Sequence, residues 1–207
     1  INLPFEQSAN ETIDGDEKLI NFNYFFTRKL AFVKESDALA ALPGGFGTMD
    51  ELFEALTLIQ TGKAQIVPIV LLDMEGGTYW KTWFQFVQDH LFRLGLISEG
   101  DFNLFKMTTD MDEAVEEVIG FYRNYHSYRY VHKTLVMRLQ HPVTDEMLTR
   151  LNRDFSDLLD EGEFAACDAL PEERDEVHLK DMPRLICRKK RGIAGRFREL
   201  INVVNQY

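Results

Sequence analysis

The stretch 43–51 combines the residue types that can hold a phosphate group. It runs Pro-Gly-Gly-Phe-Gly-Thr-Met-Asp-Glu and separates an apolar segment at 38–42 from an amphipathic segment at 52–59. The apolar segment predicts a buried strand, and the amphipathic one predicts a helix. Glycines let a backbone approach an anion closely, and a helix N-terminus offers free N–H groups and the positive end of its dipole. This order of elements favours an anion site at the turn.

The same stretch has a purely structural interpretation. Thr48 and Glu51 match a capping box, with Thr48 as the N-cap of the helix and Glu51 at its third position. Spacing alone leaves the cap and the phosphate site about equally open. The patterns G-x-G-x-x-G and G-x-x-x-x-G-K-[ST] do not occur in the chain. A dinucleotide or a triphosphate is therefore not the expected ligand.

The string P-G-G-x-G-T-x-x-E resembles the signature of the LONELY GUY (LOG) family, the nucleoside 5′-monophosphate phosphoribohydrolases. Many bacterial members of that family carry the label lysine decarboxylase. A second match is Thr27-Arg28-Lys29, which is followed by Ser36-Asp37-Ala38, because the family places an Arg-Lys pair on a helix before the strand that ends in PGG. The resemblance covers about residues 1–120 of the sequence. It implies that earlier strands and another glycine-rich loop precede Ile1, so we expect the N-terminal part of a Rossmann-like domain to be missing.

The resemblance also implies roles for individual residues. Glu51 and Arg28 would be the catalytic pair, with Lys29 in support. The 5′-phosphate would bind at Gly44, Gly45, Gly47 and Thr48. The implied reaction releases a free base and ribose 5-phosphate from AMP or a cytokinin riboside monophosphate, with neither a cofactor nor a metal. These residue types suit the reaction. A carboxylate such as Glu51 can stabilise an oxocarbenium ion and orient water, and a cation such as Arg28 can assist departure of the base.

The resemblance further implies a homodimer with the helix after the motif at its interface. The expected contacts are Phe53, Leu56, Ile59 and Gln60, with the Trp80–Trp83 helix nearby. An isolated monomer would then leave an apolar patch in water, which soluble monomers seldom tolerate. The two tryptophans allow a base-stacking platform as well, although core or interface packing is favoured.

Two alternatives to the hydrolase differ from it in the residues that they need. A pyridoxal-dependent decarboxylase needs a Schiff-base lysine and a partner for the pyridine nitrogen, and neither Lys29 nor Lys63 has such surroundings in the sequence. A non-catalytic nucleotide-binding or interaction protein of the same fold stays open. Glu51 together with Arg28 favours the enzyme, because a simple phosphate site needs neither.

Composition limits the remaining possibilities. A net charge of −11 over 207 residues argues against nucleic acid as the main partner. The two cysteines, Cys167 and Cys187, do not form a disulfide or zinc pattern, which suits a reduced cytoplasmic setting. No apolar run has the length of a membrane span.

Strand and helix patterns alternate along the chain and predict an α/β fold with a mainly parallel, Rossmann-like sheet. We expect this domain at 1–123, with the end of a strand at 1–4, a loop at 5–16 and a helix at 17–35. A small α+β unit is expected at 124–207. Residues 121–132 are interpreted as a joint whose His126 and His132 are packing or surface residues rather than metal ligands.

The small unit is expected to run strand, helix, strand, strand, helix, with Thr144 capping a helix at 145–160. Its acidic connection at 171–182 is expected to be exposed. The basic run at 188–191 is interpreted as a solvated face, with nucleic-acid binding as the alternative.

Overall fold

A three-stranded parallel sheet forms the first part of the molecule. The structure is a computed structural model that describes residues 17, 20, 22 and 24–207, apart from the side chain of Phe25. The predicted strand end at 1–4 and loop at 5–16 lie outside the described residues. The strands stand in the order β1-β2-β3, and β2 is buried along its whole length, as the continuous apolar run predicts. They are β1 (Leu39–Ala41), β2 (Ile69–Leu72) and β3 (Lys106–Thr108).

Helices alternate with these strands, which confirms the predicted α/β class. The first helix begins only at Phe25, because Ile20, Phe22 and Tyr24 are not helical. The predicted helix at 17–35 was therefore too long at its N-terminal end. The third helix continues into a π-helical turn at Val87–Phe92, and a 3₁₀ segment follows at Glu99–Leu104. The helices are α1 (Phe25–Lys34), α2 (Phe46–Gln60), α3 (Tyr79–Phe86) and α4 (Met111–Phe121).

A four-stranded antiparallel sheet forms the second part, in the order β4-β5-β7-β6. The predicted order of strand, helix, strand, strand, helix is confirmed from β5 onward. The interpretation of 121–132 as a joint missed β4, which pairs with β5 through a tight turn where His132 has a φ of 54°. The elements are β4 (Tyr125–Val131), β5 (Thr134–Leu139), α5 (Asp145–Asp154), β6 (Leu159–Cys167), β7 (Arg184–Lys189) and α6 (Ala194–Val204).

The helix caps correct one prediction and confirm another. Helix α2 begins at Phe46 with Gly45 as its N-cap and has no side-chain cap hydrogen bond. The capping box of Thr48 and Glu51 is therefore wrong, because both residues lie inside the helix. Thr144 does cap α5, since its hydroxyl accepts from the amide of Met147 at 3.1 Å. That helix ends at Asp154 rather than at 160, and the chain then turns into β6.

One hydrophobic core connects the two sheets. Leu52 and Ile59 of α2 belong to the same buried cluster as Phe197 and Leu200 of α6. Helix α6 also packs against the 3₁₀ segment at 99–104. A Cβ atom at Gly195 would collide with the carbonyl of Gly100, so this close approach of two backbones requires glycine.

The acidic connection at 171–182 is not fully exposed, which corrects the sequence expectation. Glu173 is 4% exposed and forms ion pairs with Arg138 and Arg184. Arg138 comes from β5 and Arg184 from β7, so Glu173 bridges two neighbouring strands of the second sheet. A buried charge is tolerated when it is paired and hydrogen-bonded, and both arginines provide that here.

Three smaller features concern the cysteines, the basic run at 188–191 and the length of the helices. Both cysteines are free thiols. Arg188 of the basic run forms an ion pair with Glu161, and Lys190 donates to the carbonyl of Asp157 at 2.9 Å. Within the described residues, none of the helices is both long and apolar enough to cross a membrane.

Candidate functional site

A cleft of about 610 Å³ lies beside β1, between α1 and the start of α2. Four of the predicted site residues line it, namely Arg28, Gly47, Thr48 and Glu51. Arg28 comes from α1, and the other three come from the first turns of α2. The strand β1 positions this arrangement because it joins the two helices and ends directly before the PGG turn.

Glu51 is the half-buried carboxylate of the cleft. Its Oε2 atom is buried, and none of the described residues donates a hydrogen bond to it. Burial raises the pKa of the Glu51 carboxyl above its ordinary value of 4.5. Lys29 and Arg28 act in the opposite direction, while Glu54 and Asp50 raise the pKa further. The Glu51 carboxyl therefore loses its proton at a higher pH, closer to neutral, than an exposed glutamate does.

Lys29 lies next to this carboxylate but is held by two other acids. Its Nζ atom is 2.7 Å from Asp50 Oδ2 and 2.7 Å from Glu54 Oε2. Burial lowers the pKa of Lys29, but these two partners outweigh burial and raise it to about 12. Lys29 is therefore a permanent cation at neutral pH, and it connects α1 to α2.

The glycine turn presents the N-terminus of α2. The first intrahelical hydrogen bond runs from the amide of Met49 to the carbonyl of Gly45 at 3.3 Å. The amides of the preceding helical residues 46–48 belong to the first turn, whose N–H groups have no acceptor within the helix. They lie at the positive end of the helix dipole. Arg28 lines the same cleft, and Glu51 of α2 is the one acidic side chain among the described residues that line it.

The glycines of the turn differ in the space around them. A Cβ atom at Gly44 would collide with the side chain of Thr48, so the fold itself requires glycine there. Around Gly45 and Gly47, apart from the adjacent residues and the backbone of α2, no described atom lies within 4 Å of where a Cβ would stand. The absence of side chains at these two positions leaves open space in front of the helix N-terminus.

The structure adds residues that no motif marked. Apolar side chains cover one wall of the cleft, and the phenol of Tyr79 donates a hydrogen bond to the Gly44 carbonyl at 2.5 Å. Sequence signals for both are weak, because apolar strand residues and a helix-starting tyrosine are common in any α/β domain. The apolar wall consists of Phe32, Leu39, Ala40, Ala41, Leu42, Pro43, Leu52 and Ile69.

The residues expected at a dimer interface do not form an exposed patch. Ile59 is 1% exposed and belongs to the core, and the amide of Gln60 donates to Asp101 at 2.8 Å. Trp80 and Trp83 are buried, which confirms the packing interpretation over a base-stacking platform. Phe53 is the exposed member of the predicted set.

A matching family model covers residues 2–118, and its description is "Possible lysine decarboxylase". Matches to curated proteins carry a different name. Residues aligned with cytokinin riboside 5′-monophosphate phosphoribohydrolase LOG1 of Arabidopsis thaliana are 42% identical over 71 positions, which is 34% of this chain and 32% of that protein. The chain belongs to the LOG family.

Other LOG proteins give similar matches. The probable phosphoribohydrolase LOGL1 of Oryza sativa subsp. japonica is 47% identical over 62 residues, covering 30% of this chain and 26% of that protein. The probable phosphoribohydrolase LOG6 of Arabidopsis thaliana is 45% identical over 74 residues, covering 36% of this chain and 35% of that protein. The match thus spans about a third or less of each of these LOG proteins.

The family description implies a pyridoxal cofactor, and the residues present do not fit one. A Schiff-base lysine must lose its proton, which requires a lowered pKa. Lys29 has a pKa raised to about 12 and is held between Asp50 and Glu54. Lys63 is exposed beyond the end of α2. Neither of these two lysines of the LOG chain therefore suits the Schiff base that a pyridoxal-dependent decarboxylase needs.

Proposed function

We propose that this LOG protein hydrolyses the N-glycosidic bond of a nucleoside 5′-monophosphate, of the AMP or cytokinin riboside monophosphate type. The products are the free base and ribose 5-phosphate. The observation that carries the proposal is the half-buried Glu51 carboxylate, whose Oε2 atom is buried and which shares one cleft with Arg28, Gly47 and Thr48. Membership of the LOG family and the names of the relatives support it.

In the proposed complex the 5′-phosphate binds at the turn Gly44–Thr48. The amides of the first turn of α2 donate to the phosphate oxygens, and the hydroxyl of Thr48 adds another donor. The open space at Gly45 and Gly47 lets the phosphate approach the backbone. The anchored phosphate leaves the ribose within reach of Glu51, one helical turn further along α2.

In the proposed reaction the bond from C1′ of the ribose to the base nitrogen breaks, and the electron pair leaves with the base. Ionised Glu51 stabilises the oxocarbenium character at C1′ and accepts a proton from the water that attacks there. Arg28 stabilises the negative charge that develops on the departing base. The base takes up one proton from solvent to become neutral, and Glu51 returns the proton that it accepted from water to solvent. Lys29 supports the site by holding Asp50 and Glu54.

The test is release of free adenine and ribose 5-phosphate from AMP by the full-length protein. Glu51→Gln keeps the shape of the side chain but removes its charge, so we expect turnover to fall at least about a hundredfold. Arg28→Ala should also lose most of the activity. Glu163→Gln, at an exposed position on β6, is the matched control and should keep full activity.

Near-normal turnover by Glu51→Gln would contradict the catalytic role of this carboxylate. AMP binding without turnover by the wild-type protein would instead support a nucleotide-binding protein that is not an enzyme. Neither of these outcomes affects membership of the LOG family.

We also propose that the protein is a homodimer that works in the cytoplasm. Large apolar side chains remain exposed on α1 and at the start of α2, namely Phe26 at 67%, Leu30 at 63% and Phe46 at 98%. Water contact at several large apolar side chains is unusual for a monomer when they form one patch. Light scattering at micromolar concentration tests this, and a mass of one chain would overturn the dimer.

A further inference from the structure

Tyr79 connects the start of α3 to the glycine turn. It is the first residue of α3, and its hydroxyl donates to the carbonyl of Gly44 at 2.5 Å. Its backbone amide donates to Asp73 Oδ2 at 3.0 Å, while Asp73 Oδ1 accepts from the amide of Met74 at 2.9 Å. Tyr79 is thus held at both ends, by the loop that follows β2 and by the turn that follows β1.

The loop that holds Tyr79 is itself tightly fitted. A Cβ atom at Gly77 would collide with the Asp73 carboxylate. The ring of Tyr79 packs edge-on against Trp80, with 4.8 Å between centroids. Trp80 is 2% exposed and donates from Nε1 to the carbonyl of Leu72 at 3.1 Å. These contacts fix the phenol relative to the sheet.

The hydrogen bond from Tyr79 determines which way one amide of the turn points. The Gly44–Gly45 peptide is trans, so its carbonyl and its N–H point in opposite directions. When the phenol holds the Gly44 carbonyl, the N–H of Gly45 must face the other side. Glycine has more backbone freedom than other residues, so the contact from Tyr79 restricts this peptide to one orientation.

We propose that Tyr79 is a positioning residue of the phosphate site. Its hydroxyl holds the Gly44–Gly45 peptide so that the Gly45 amide stays available to a bound phosphate oxygen, together with the amides of the first turn of α2. Tyr79 acts through the backbone and does not touch the phosphate or the reacting atoms. The inference rests on the proposed function, because it assumes that the turn binds the substrate phosphate.

The chain provides a matched control at the opposite end of β1. The hydroxyl of Tyr122 donates to the carbonyl of Asp37 at 2.7 Å. Tyr79→Phe and Tyr122→Phe therefore remove the same chemical group, a phenol bonded to a backbone carbonyl beside the same strand. Only the first of these carbonyls belongs to the glycine turn.

The experiment compares the full-length wild-type protein with the two variants, using AMP as substrate and inorganic phosphate as competitor. We expect Tyr79→Phe to raise both KM for AMP and the inhibition constant of phosphate by about three- to tenfold, the usual effect of one lost hydrogen bond. Its kcat should change less than twofold, because the reacting groups are untouched. Tyr122→Phe should leave all three constants at wild-type values.

A second measurement separates positioning from general loosening of the fold. Bound phosphate should protect the Gly45 amide from hydrogen exchange in the wild type and in Tyr122→Phe, but not in Tyr79→Phe. Equal effects of the two variants on KM, or wild-type phosphate affinity in Tyr79→Phe, would overturn the inference. A wild-type protein that binds neither phosphate nor AMP would overturn the proposed function itself, which is a different result.

Discussion

Lys29 lies 2.7 Å from Asp50, and this ion pair joins α1 to the second turn of α2 beside Glu51. The adjacent contact with Glu54 makes Lys29 the cation shared by two acids. Asp50 and Glu54 both raise the pKa of Glu51, whereas Lys29 lowers it. The positive charge of Lys29 therefore offsets part of the repulsion among these three carboxylates. Its contribution to the site is therefore electrostatic.

Replacement of Lys29 by methionine should move the pH dependence of activity. Lys29 lowers the pKa of Glu51, so its removal raises that pKa. If the ionised form of Glu51 is the active one, the acidic limb of the kcat/KM profile should move to higher pH. Lys63→Met, at an exposed lysine after α2, is the control. An unchanged acidic limb in Lys29→Met would argue against electrostatic coupling of these two residues.

The same substitution should lower stability at neutral pH. Lys29 has a folded-state pKa of about 12, above the ordinary 10.5. Its contribution to stability is therefore complete below the ordinary pKa and disappears as the pH rises through the raised one. At pH 7 the variant loses the whole contribution, so thermal unfolding should occur at a lower temperature than in Lys63→Met.

Replacement of Glu51 by glutamine should stabilise the protein at neutral pH while it abolishes activity. The raised pKa of Glu51 means that folding favours its protonated form. That favourable contribution is complete below the ordinary pKa and is lost as the pH rises through the raised pKa. The native state at pH 7 thus holds an ionised carboxylate at a cost, which glutamine removes.

Thermal unfolding at two pH values checks this prediction. The melting temperature of Glu51→Gln should exceed that of the wild type at pH 7, and the difference should nearly vanish at about pH 4, where the wild-type carboxyl is protonated too. A melting temperature below wild type at pH 7 would show that Glu51 stabilises the fold as an anion.

Alanine at Gly44 and at Gly47 should have opposite effects. At Gly44 the added Cβ meets the side chain of Thr48, and we expect a loss of about 1–3 kcal/mol in the free energy of unfolding. At Gly47 the space is open, and alanine favours a helix over glycine. Gly47→Ala should therefore keep or raise stability but weaken AMP binding, because the methyl group occupies the approach to the amides. Calorimetry of unfolding and of AMP binding measures both effects.

Glu173→Gln should be among the most destabilising single changes in the second sheet. Its carboxylate is buried between Arg138 and Arg184, and loss of the charge leaves both arginines poorly compensated. We expect a loss of about 3–5 kcal/mol in the free energy of unfolding. Glu172→Gln changes the neighbouring, half-exposed acid and should cost about 0–1 kcal/mol. Similar denaturation midpoints for the two variants would mean that the buried ion pairs contribute little.

The first sheet and the cleft could be predicted because their signals are local. The order of strand, PGG turn and helix needs only neighbouring residues, and two short motifs place Arg28 and Glu51. The N-cap was misplaced because a Thr-x-x-Glu pattern is equally compatible with a helix that begins earlier, at Phe46 with Gly45 as its N-cap. Glycine can serve as an N-cap without a side-chain hydrogen bond.

Features that depend on distant partners could not be predicted from the sequence. An acidic run is normally exposed, and the burial of Glu173 depends on Arg138, which is 35 residues away along the chain. The contact of Tyr79 with Gly44 also spans 35 residues. The strand β4 was missed because its apolar and polar residues do not alternate regularly, and a β-bulge shifts its register near Ser127.

The core that connects the two sheets has a consequence for synthesis of the chain. Helix α6 supplies Phe197, Leu200, Ile201 and Val204 to the buried cluster that contains α2. A ribosome makes α2 and the glycine turn long before it makes α6. The buried face of α2, the helix that carries Glu51, is therefore fully covered only after α6 has been synthesised. Until then the nascent chain exposes apolar surface, to which a chaperone can bind.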